Sequence, residues 1–107
     1  FDVDPCRTVK EELWRAFSEA NNVHEALSQV HRDMETANPE QLDKLINKMD
    51  KLQRQFEALD GYGLEAQIDK ILPEMGFEAA DGDRLVSAFS GGWQMRMGLA
   101  KILLQKP

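Results

Sequence analysis

Ser90, Gly91 and Gly92 are the residues whose types and spacing are best suited to chemistry, because they stand directly before a predicted helix. A serine hydroxyl and unobstructed glycine amides at the positive end of a helix suit an anion, and the missing side chains let a phosphate approach the backbone. The same three residues can also be interpreted structurally, as an ordinary serine N-cap followed by a flexible glycine pair. Three residues alone favour that structural interpretation, since short motifs match often by chance.

Other polar groupings are weaker candidates for a metal site. His24 and His31 lie seven positions apart on one predicted helix, whereas a helical metal site uses an i, i+4 pair, so we interpret them as surface or seam residues. Asp81-Gly82-Asp83 lacks the remaining ligands of a calcium loop and is predicted to be a turn. The sequence therefore predicts no metal ligands.

A row of lysines, Lys44, Lys48 and Lys51, shares one face of a predicted helix and could contact RNA phosphate. Residues 21–60 nevertheless carry five basic against eight acidic side chains, a balance of −3. Glu40 also stands four residues before Lys44, as in an ordinary intrahelical pair. A solvated face is the favoured interpretation.

The composition restricts the class of protein. A chain of 107 residues, 42% hydrophobic and 30% charged, fits one compact domain or a piece of a larger one. A net charge of −6 argues against a general nucleic-acid coat. Cys6 is the only cysteine, which favours a reducing compartment. We expect no signal peptide and no membrane span, and the Phe1 and Pro107 ends suggest a piece cut from a longer protein.

The element that must begin the fold is a long helix. Thr8 and Glu11 form a capping box that satisfies two otherwise unpaired amides. Apolar or small residues then recur every three or four positions, at Val9, Leu13, Ala16, Ala20, Val23, Leu27, Val30, Met34 and Ala37. The spacing predicts one helix from residue 8 to residue 37, about 40 Å long, which Asn21-Asn22 weakens without ending.

A second long helix follows a short connection. Asn38 suits an N-cap, Pro39 suits the first helical position, and Gln41 can cap back. Apolar residues again alternate in threes and fours, at Leu42, Leu45, Met49, Leu52, Phe56 and Leu59. Because the connection is too short for a return path, the two helices are predicted to form an antiparallel hairpin.

Shorter helices complete an all-α prediction. Gly61-Tyr62-Gly63 is expected to end the hairpin through a left-handed glycine, and Pro73 to end a third helix. The final helix, residues 93–105, is apolar on most faces and so expects cover from a missing layer of structure. No strand pattern is present.

A longer string around residues 90–92 carries a family resemblance. Phe89-Ser90-Gly91-Gly92-Trp93 resembles the signature motif of ABC ATPases, and residues 99–107 are similar to the signature helix of the ABC-F family. Ile71-Leu72-Pro73-Glu74-Met75-Gly76-Phe77 is similar to the segment that leads into that motif. The resemblance implies the helical subdomain of an ABC ATPase: residues 1–20 lead in, 21–60 form the arm, 61–88 connect, and 89–107 carry the signature.

The resemblance also implies a role in ATP binding. Ser90 and Gly92 would contact the γ-phosphate of an ATP held by the opposite ATPase domain, with Gly91 keeping the backbone accessible. The fifth signature position, often Gln or Glu, is Trp93 here, with Gln94 following it, so the side-chain role at that position stays open. Trp93 and Gln94 are included as candidate contacts to the nucleotide. The chain has no G-x-x-x-x-G-K-[ST] segment and stops before a Walker B strand, so Mg²⁺ would be held elsewhere. We expect no catalytic residue and no activity in the isolated chain, and ATP hydrolysis in its parent.

Partners and location follow from the same resemblance. It implies contacts with the rest of its own ABC domain and with a second one, and contact of the hairpin with the ribosome or tRNA during translation. The location would be the cytoplasm or a plastid. Two alternatives stay open: the helical subdomain of a membrane ABC transporter, or a free-standing helical-hairpin interaction module. The long hairpin and the Trp93-Gln94-Met95-Arg96-Met97 string argue against the transporter.

Overall fold

The fold is all-α, as predicted, over residues 3–105, which the computed structural model describes. Its helices are α1 (Val9–Trp14), α2 (Ser18–Met34), α3 (Pro39–Ala58), α4 (Gly61–Glu74) and α5 (Gly91–Gln105). Single 3₁₀ turns occupy Ala79–Asp83 and Val86–Ala88. The chain divides into two compact units. The hairpin unit is Glu19–Tyr62, and the host unit combines residues 3–18 with residues 63–105.

The prediction of one continuous first helix is wrong, because the structure has two helices in this part of the chain. α1 ends at Trp14, and residues 15–17 form a turn before α2 begins at Ser18. In that turn the amides of Arg15, Ala16 and Phe17 bond three residues back instead of four. The apolar spacing persists through the turn, so it could not reveal the change of hydrogen-bond register. α2 also ends at Met34 rather than Ala37, and spans about 25 Å instead of 40 Å.

Both predicted capping boxes are confirmed. Thr8 Oγ1 accepts the Glu11 amide at 3.2 Å, and the Glu11 carboxylate accepts the Thr8 amide at 2.9 Å. Asn38 and Gln41 make the same reciprocal pair at 2.8 and 3.1 Å, with Pro39 as the first helical residue. Each box satisfies two amides that no intrahelical carbonyl can reach, and so determines where its helix begins.

α2 and α3 form the predicted antiparallel hairpin. Near its loop, Asp33 and Ala37 line the same shallow depression as Lys44 and Leu45. Far from the loop, the His24 ring lies 6.2 Å from that of Phe56. Most of the predicted seam residues are buried or half-buried, but Leu42, near the loop, is 37% exposed. The seam therefore follows the predicted pattern except at Leu42, and its least exposed positions are Ala20, Val30 and Phe56.

The predicted glycine stop after the hairpin is wrong. Asp60, with φ 56°, adopts the left-handed conformation, and Gly61 begins α4. Gly61 is instead required by packing, because a β-carbon there would collide with the Phe56 ring. Tyr62 packs edge-on against the same ring, with 5.1 Å between centroids. Asp60 can serve here because Asp tolerates the left-handed region better than most residues.

α4 ends one residue after Pro73, at Glu74, and its end is closed by a Schellman motif. The Phe77 amide bonds the Leu72 carbonyl at 2.9 Å, and the Gly76 amide bonds the Pro73 carbonyl at 3.1 Å. Gly76 takes φ 90°, the conformation that this motif places just after a helix. The glycine that stops a helix is therefore Gly76.

The host unit is held by a short backbone pairing and an apolar core. The Val9 amide bonds the Arg84 carbonyl at 3.0 Å, and the Val86 amide bonds the Arg7 carbonyl at 2.9 Å. This pairing joins the start of α1 to residues 84–86, directly before the final helix. Core side chains buried to 4% exposure or less lie on α1, α4, α5 and their connections: Val9, Leu13, Trp14, Ile68, Leu72, Phe77, Val86, Met97 and Ala100.

Apolar residues of α5 are divided between core and surface. Met97, Ala100 and Leu104 are buried. Exposed large apolar side chains, between 41 and 51% accessible, cover the opposite face: Met95, Leu99, Ile102 and Leu103. This distribution agrees with the expectation that α5 needs cover beyond this chain. Residues 106 and 107 of the predicted signature helix lie outside the described range.

Candidate functional site

Ser90 is the N-cap residue of α5. Its carbonyl accepts the first intrahelical bond, from the Gln94 amide at 2.9 Å. The side chain is exposed, and its hydroxyl makes no hydrogen bond to any residue between 3 and 105. A serine that acted only as a helix cap would turn its oxygen back to an amide of the first turn. Here the hydroxyl and the first amides of α5 remain available to an external group.

Gly91 and Gly92 stand in open space. A β-carbon built on either residue would meet no atom within 4 Å, and neither residue has the positive φ that favours glycine. Neither packing nor backbone conformation within the described chain requires a glycine here. The missing side chains leave the backbone of both residues accessible from outside the described chain. We name residues 90–92 the anion turn.

An aromatic cluster stands behind the anion turn and is formed by Phe77, Phe89 and Trp93. The Trp93 ring centroid lies 5.0 Å from that of Phe77 and 6.4 Å from that of Phe89. Phe77 is buried, whereas Phe89 and Trp93 are half-buried. Tilted and edge-on ring pairs of this kind are favourable beyond their burial. The structure thus places Trp93 in a packing role, which the sequence motif left open.

Two arginines stack on the outer rings of the aromatic cluster. The Arg84 guanidinium lies 4.6 Å from the Phe89 ring centroid, and that of Arg96 lies 4.4 Å from the Trp93 centroid. Arg84 also pairs with Asp81 at 3.2 Å, and Arg96 donates to the Met75 carbonyl at 3.2 Å. Asp81 therefore balances the charge of Arg84, whereas the Arg96 guanidinium over Trp93 carries a positive charge on the first turns of α5. The Arg96 charge has the same sign as the helix N-terminus, which favours an anion.

The side chain of Gln94 donates hydrogen bonds to the backbone of its own chain. Its Nε2 donates to the Phe89 carbonyl at 3.0 Å and to the Val86 carbonyl at 3.3 Å. The side chain is half-buried. Nε2 thus donates to two backbone carbonyls that precede the anion turn. The sequence identified this residue without indicating those partners, because they depend on the fold of residues 86–89.

Sequence reasoning missed Arg96 and Gly76, which determine how the first turn of α5 meets the end of α4. A β-carbon on Gly76 would lie 2.8 Å from Nη1 of Arg96. The available signal was Gly76 itself, because glycine commonly occupies the position just after a helix end. It also missed Glu12, whose carboxylate is fully buried in the host unit.

The other candidates lie apart from the anion turn in sequence. His31 is exposed, and His24 packs against Phe56 within the hairpin unit. Asp81-Gly82-Asp83 falls within the 3₁₀ turn that was predicted as a turn. Across residues 3–105 no three His, Cys, Asp or Glu side chains are grouped to hold a metal ion. Nor does any helix in that range combine the length and apolarity needed to cross a bilayer.

Known proteins resemble the chain along its whole length. It is 44% identical over 110 aligned residues to ABC transporter F family member 5 of Arabidopsis thaliana, and 42% identical over 109 to member 2 of the same family and organism, in both cases over 100% of the chain. It is also 30% identical over 106 residues, or 98% of its length, to the energy-dependent translational throttle protein EttA of Escherichia coli K12.

The chain spans only 16–18% of the length of these curated relatives. No protein-family model matches it. No solved structure matches it either.

Proposed function

The chain belongs to the ABC-F family of ATP-binding cassette proteins, and from this premise we propose that its anion turn is the signature motif of an ATPase subdomain. In this role Ser90, Gly91 and Gly92 bind the γ-phosphate of an ATP held by a second ATPase domain. The observation that carries the proposal is the open N-terminus of α5, where the Ser90 hydroxyl is unused and both glycines face empty space.

The donor set fits a phosphate oxygen. Amides in the first turn of a helix have no intrahelical acceptor, and the helix dipole makes that end positive. A hydroxyl beside them adds a donor that can rotate to suit the ligand. The guanidinium of Arg96, stacked on Trp93, adds positive charge to the same helix. A fixed group of donors aimed at a phosphate acts as an electrostatic latch between two domains and stabilises their closed arrangement.

The remaining catalytic parts would be supplied by other segments of the parent protein. A Walker A loop holds the nucleotide phosphates with a lysine and backbone amides, and Mg²⁺ is held by that loop and a Walker B aspartate. The sequence of this chain contains neither motif. Its contribution is therefore to complete the ATP site and to carry closure from that site to the hairpin unit. ATP hydrolysis belongs to the parent.

The test is a substitution that blocks the anion turn without disturbing the fold. Ser90→Arg in the parent places a long side chain where the γ-phosphate binds, at a position where the serine side chain is exposed. We expect ATP turnover to fall by at least about 100-fold, the loss typical of removing preorganised charge stabilisation. The melting temperature should stay unchanged. Ser18→Arg, at another exposed serine, is the control. Wild-type turnover in Ser90→Arg would refute the proposal.

We further propose that the hairpin unit transmits closure of the ATPase domains to the ribosome. Support comes from the name of the translational throttle protein, which assigns translation to that relative. The lysine face (Lys44, Lys48 and Lys51) adds a second argument. Each lysine is exposed, and none of the three makes an ion pair with residues 3–105. Unpaired ammonium groups along one helix face can contact RNA phosphates.

Co-sedimentation of the parent with ribosomes tests this second role. Changing Lys44, Lys48 and Lys51 together to Gln should weaken association and reduce its dependence on salt, because each phosphate contact contributes to the salt slope. The control changes three other exposed basic residues, Arg32, Arg54 and Lys70, to Gln. Equal losses in the two triple variants would indicate a general charge effect. Unchanged association in the lysine-face variant would remove that face from the contact.

A further inference from the structure

Gln94 bonds to the backbone on both sides of Ser90. Its Nε2 holds the Phe89 carbonyl at 3.0 Å, and its own amide holds the Ser90 carbonyl at 2.9 Å. The first carbonyl belongs to the peptide plane that precedes the Ser90 α-carbon, and the second to the plane that follows it. Because peptide units are planar, orienting the two planes determines φ and ψ of Ser90.

Fixing those planes also aims the donors of the anion turn. The Ser90 β-carbon direction follows from its φ and ψ, and the Gly91 amide lies in the second of the two held planes. Gly91 and Gly92 have no side chains that could anchor this end of α5 by packing. Glycine also leaves the backbone more freedom than any other residue. The hydrogen bonds from Gln94 restrain the backbone at the point where α5 begins.

The Gln94 side chain connects this restraint to the core. Its second bond, 3.3 Å to the Val86 carbonyl, reaches a residue that is fully buried. The Val86 amide is itself bonded to the Arg7 carbonyl at 2.9 Å. A continuous set of hydrogen bonds therefore runs from the start of the host unit through Val86 and Gln94 to Ser90.

We propose that Gln94 is a positioning residue, which orients the hydroxyl and amides of the anion turn towards the phosphate and does not contact the nucleotide. This inference rests on the proposed signature function of Ser90. It assigns Gln94 a different role from the cofactor contact expected from the sequence. A contact between nucleotide and Gln94 would have to use Oε1, because Nε2 already donates to the Val86 and Phe89 carbonyls.

Two substitutions in the intact parent separate positioning from contact. Gln94→Met keeps the length and loses the donors, whereas Gln94→Glu keeps an acceptor oxygen and turns a carboxylate towards two carbonyl oxygens. Positioning predicts that kcat for ATP falls about five- to tenfold in Gln94→Met, the low end for two lost hydrogen bonds, and falls further in Gln94→Glu. ADP affinity should not change, since ADP has no γ-phosphate. Gln67→Met, at an exposed glutamine of α4, is the control.

A double substitution tests whether Gln94 acts through Ser90. If it does, Ser90→Ala with Gln94→Met should lose less turnover than the product of the two single losses. Melting temperatures are measured for every variant. If Gln94→Met is unstable, Gln94→Glu takes its place in the double substitution. Higher turnover in Gln94→Glu than in Gln94→Met, or a fully multiplicative double variant, would overturn the positioning role. Unchanged turnover in Ser90→Ala alone would instead contradict the proposed function.

Discussion

The ammonium of Lys101 on α5 lies 3.5 Å from the carboxylate of Glu12 on α1, although the two residues are 89 positions apart. The Glu12 side chain is fully buried, and it also accepts the Asp4 amide at 2.9 Å and the Arg15 guanidinium at 2.9 Å. One buried anion thus joins the start of the chain, α1 and α5. These hydrogen bonds and ion pairs occupy most of the lone-pair positions of the carboxylate. They therefore compensate for the loss of water around the buried charge.

Removing Glu12 should destabilise the chain. Glu12→Ala leaves Lys101 and Arg15 without their buried partner, and we expect a loss of about 3 kcal/mol in the free energy of unfolding, the low end for broken buried pairs because both cations keep some exposure. Urea unfolding of the 107-residue chain measures it. Glu65→Ala, at an exposed glutamate of α4, should change it by less than about 0.5 kcal/mol. Equal stability of the two variants would contradict this role.

The hairpin seam predicts a difference between two leucines of α3. Leu52 is half-buried, while Leu42 is 37% exposed near the loop. Leu52→Asp should lower the unfolding free energy by about 1–3 kcal/mol, since a carboxylate would face the seam without a partner. Leu42→Asp is the matched control, with a smaller expected loss. Thermal melts followed by circular dichroism measure both, and an equal or larger loss in the Leu42 variant would exclude this seam.

Gly76 should not tolerate a side chain. Gly76→Ala combines a φ of 90° with a β-carbon 2.8 Å from Arg96 Nη1, and we expect a loss of about 1–2 kcal/mol. Gly91→Ala is the control, because its β-carbon meets no atom within 4 Å and its φ is not positive. Chemical denaturation of both variants gives the comparison. Adding Arg96→Ala to Gly76→Ala should recover the part of the loss that comes from the collision, while the backbone strain remains.

Stability and activity should change in opposite directions at Gly92. Gly92→Asp places a carboxylate in the first turn of α5, where the helix dipole stabilises negative charge by about 0.3–1 kcal/mol, and open space accommodates it. The same charge repels a phosphate. We therefore expect a small rise in the melting temperature of the chain and a loss of ATP turnover in the parent. Gly92→Asn, neutral and similar in size, should retain more turnover. A destabilised but fully active Gly92→Asp protein would contradict the assignment.

Local interactions account for what the sequence could predict. The capping boxes of Thr8 and Asn38 involve partners three residues away, so their residue types are sufficient to place them. The hairpin followed from a sustained apolar period and a short connection. The turn at residues 15–17 was missed, because the same period continues through it while the backbone changes register.

In the candidate site, too, some features were predictable from the sequence and others depended on the fold. The residue types of Ser90, Gly91 and Gly92 were sufficient to place them at the start of a helix, although α5 begins at Gly91 and not at the predicted Trp93. The surroundings of Trp93 and Gln94 were not predictable, because they depend on where the end of α4 and residues 86–89 lie in the folded chain. The role of Arg96 was not predictable either, because its stacking on Trp93 and its hydrogen bond to the Met75 carbonyl depend on the folded structure.

The host unit is built from two stretches of sequence that the hairpin unit interrupts. Its backbone pairing, its buried Glu12 and its core all connect residues before the interruption with residues after it. The interactions that stabilise the host unit therefore do not depend on the length of the hairpin. Natural variation could lengthen, shorten or exchange the arm while the same ATPase subdomain is kept. Peptides covering residues 1–18 and 63–107 should, for the same reason, be able to reassociate as separate molecules.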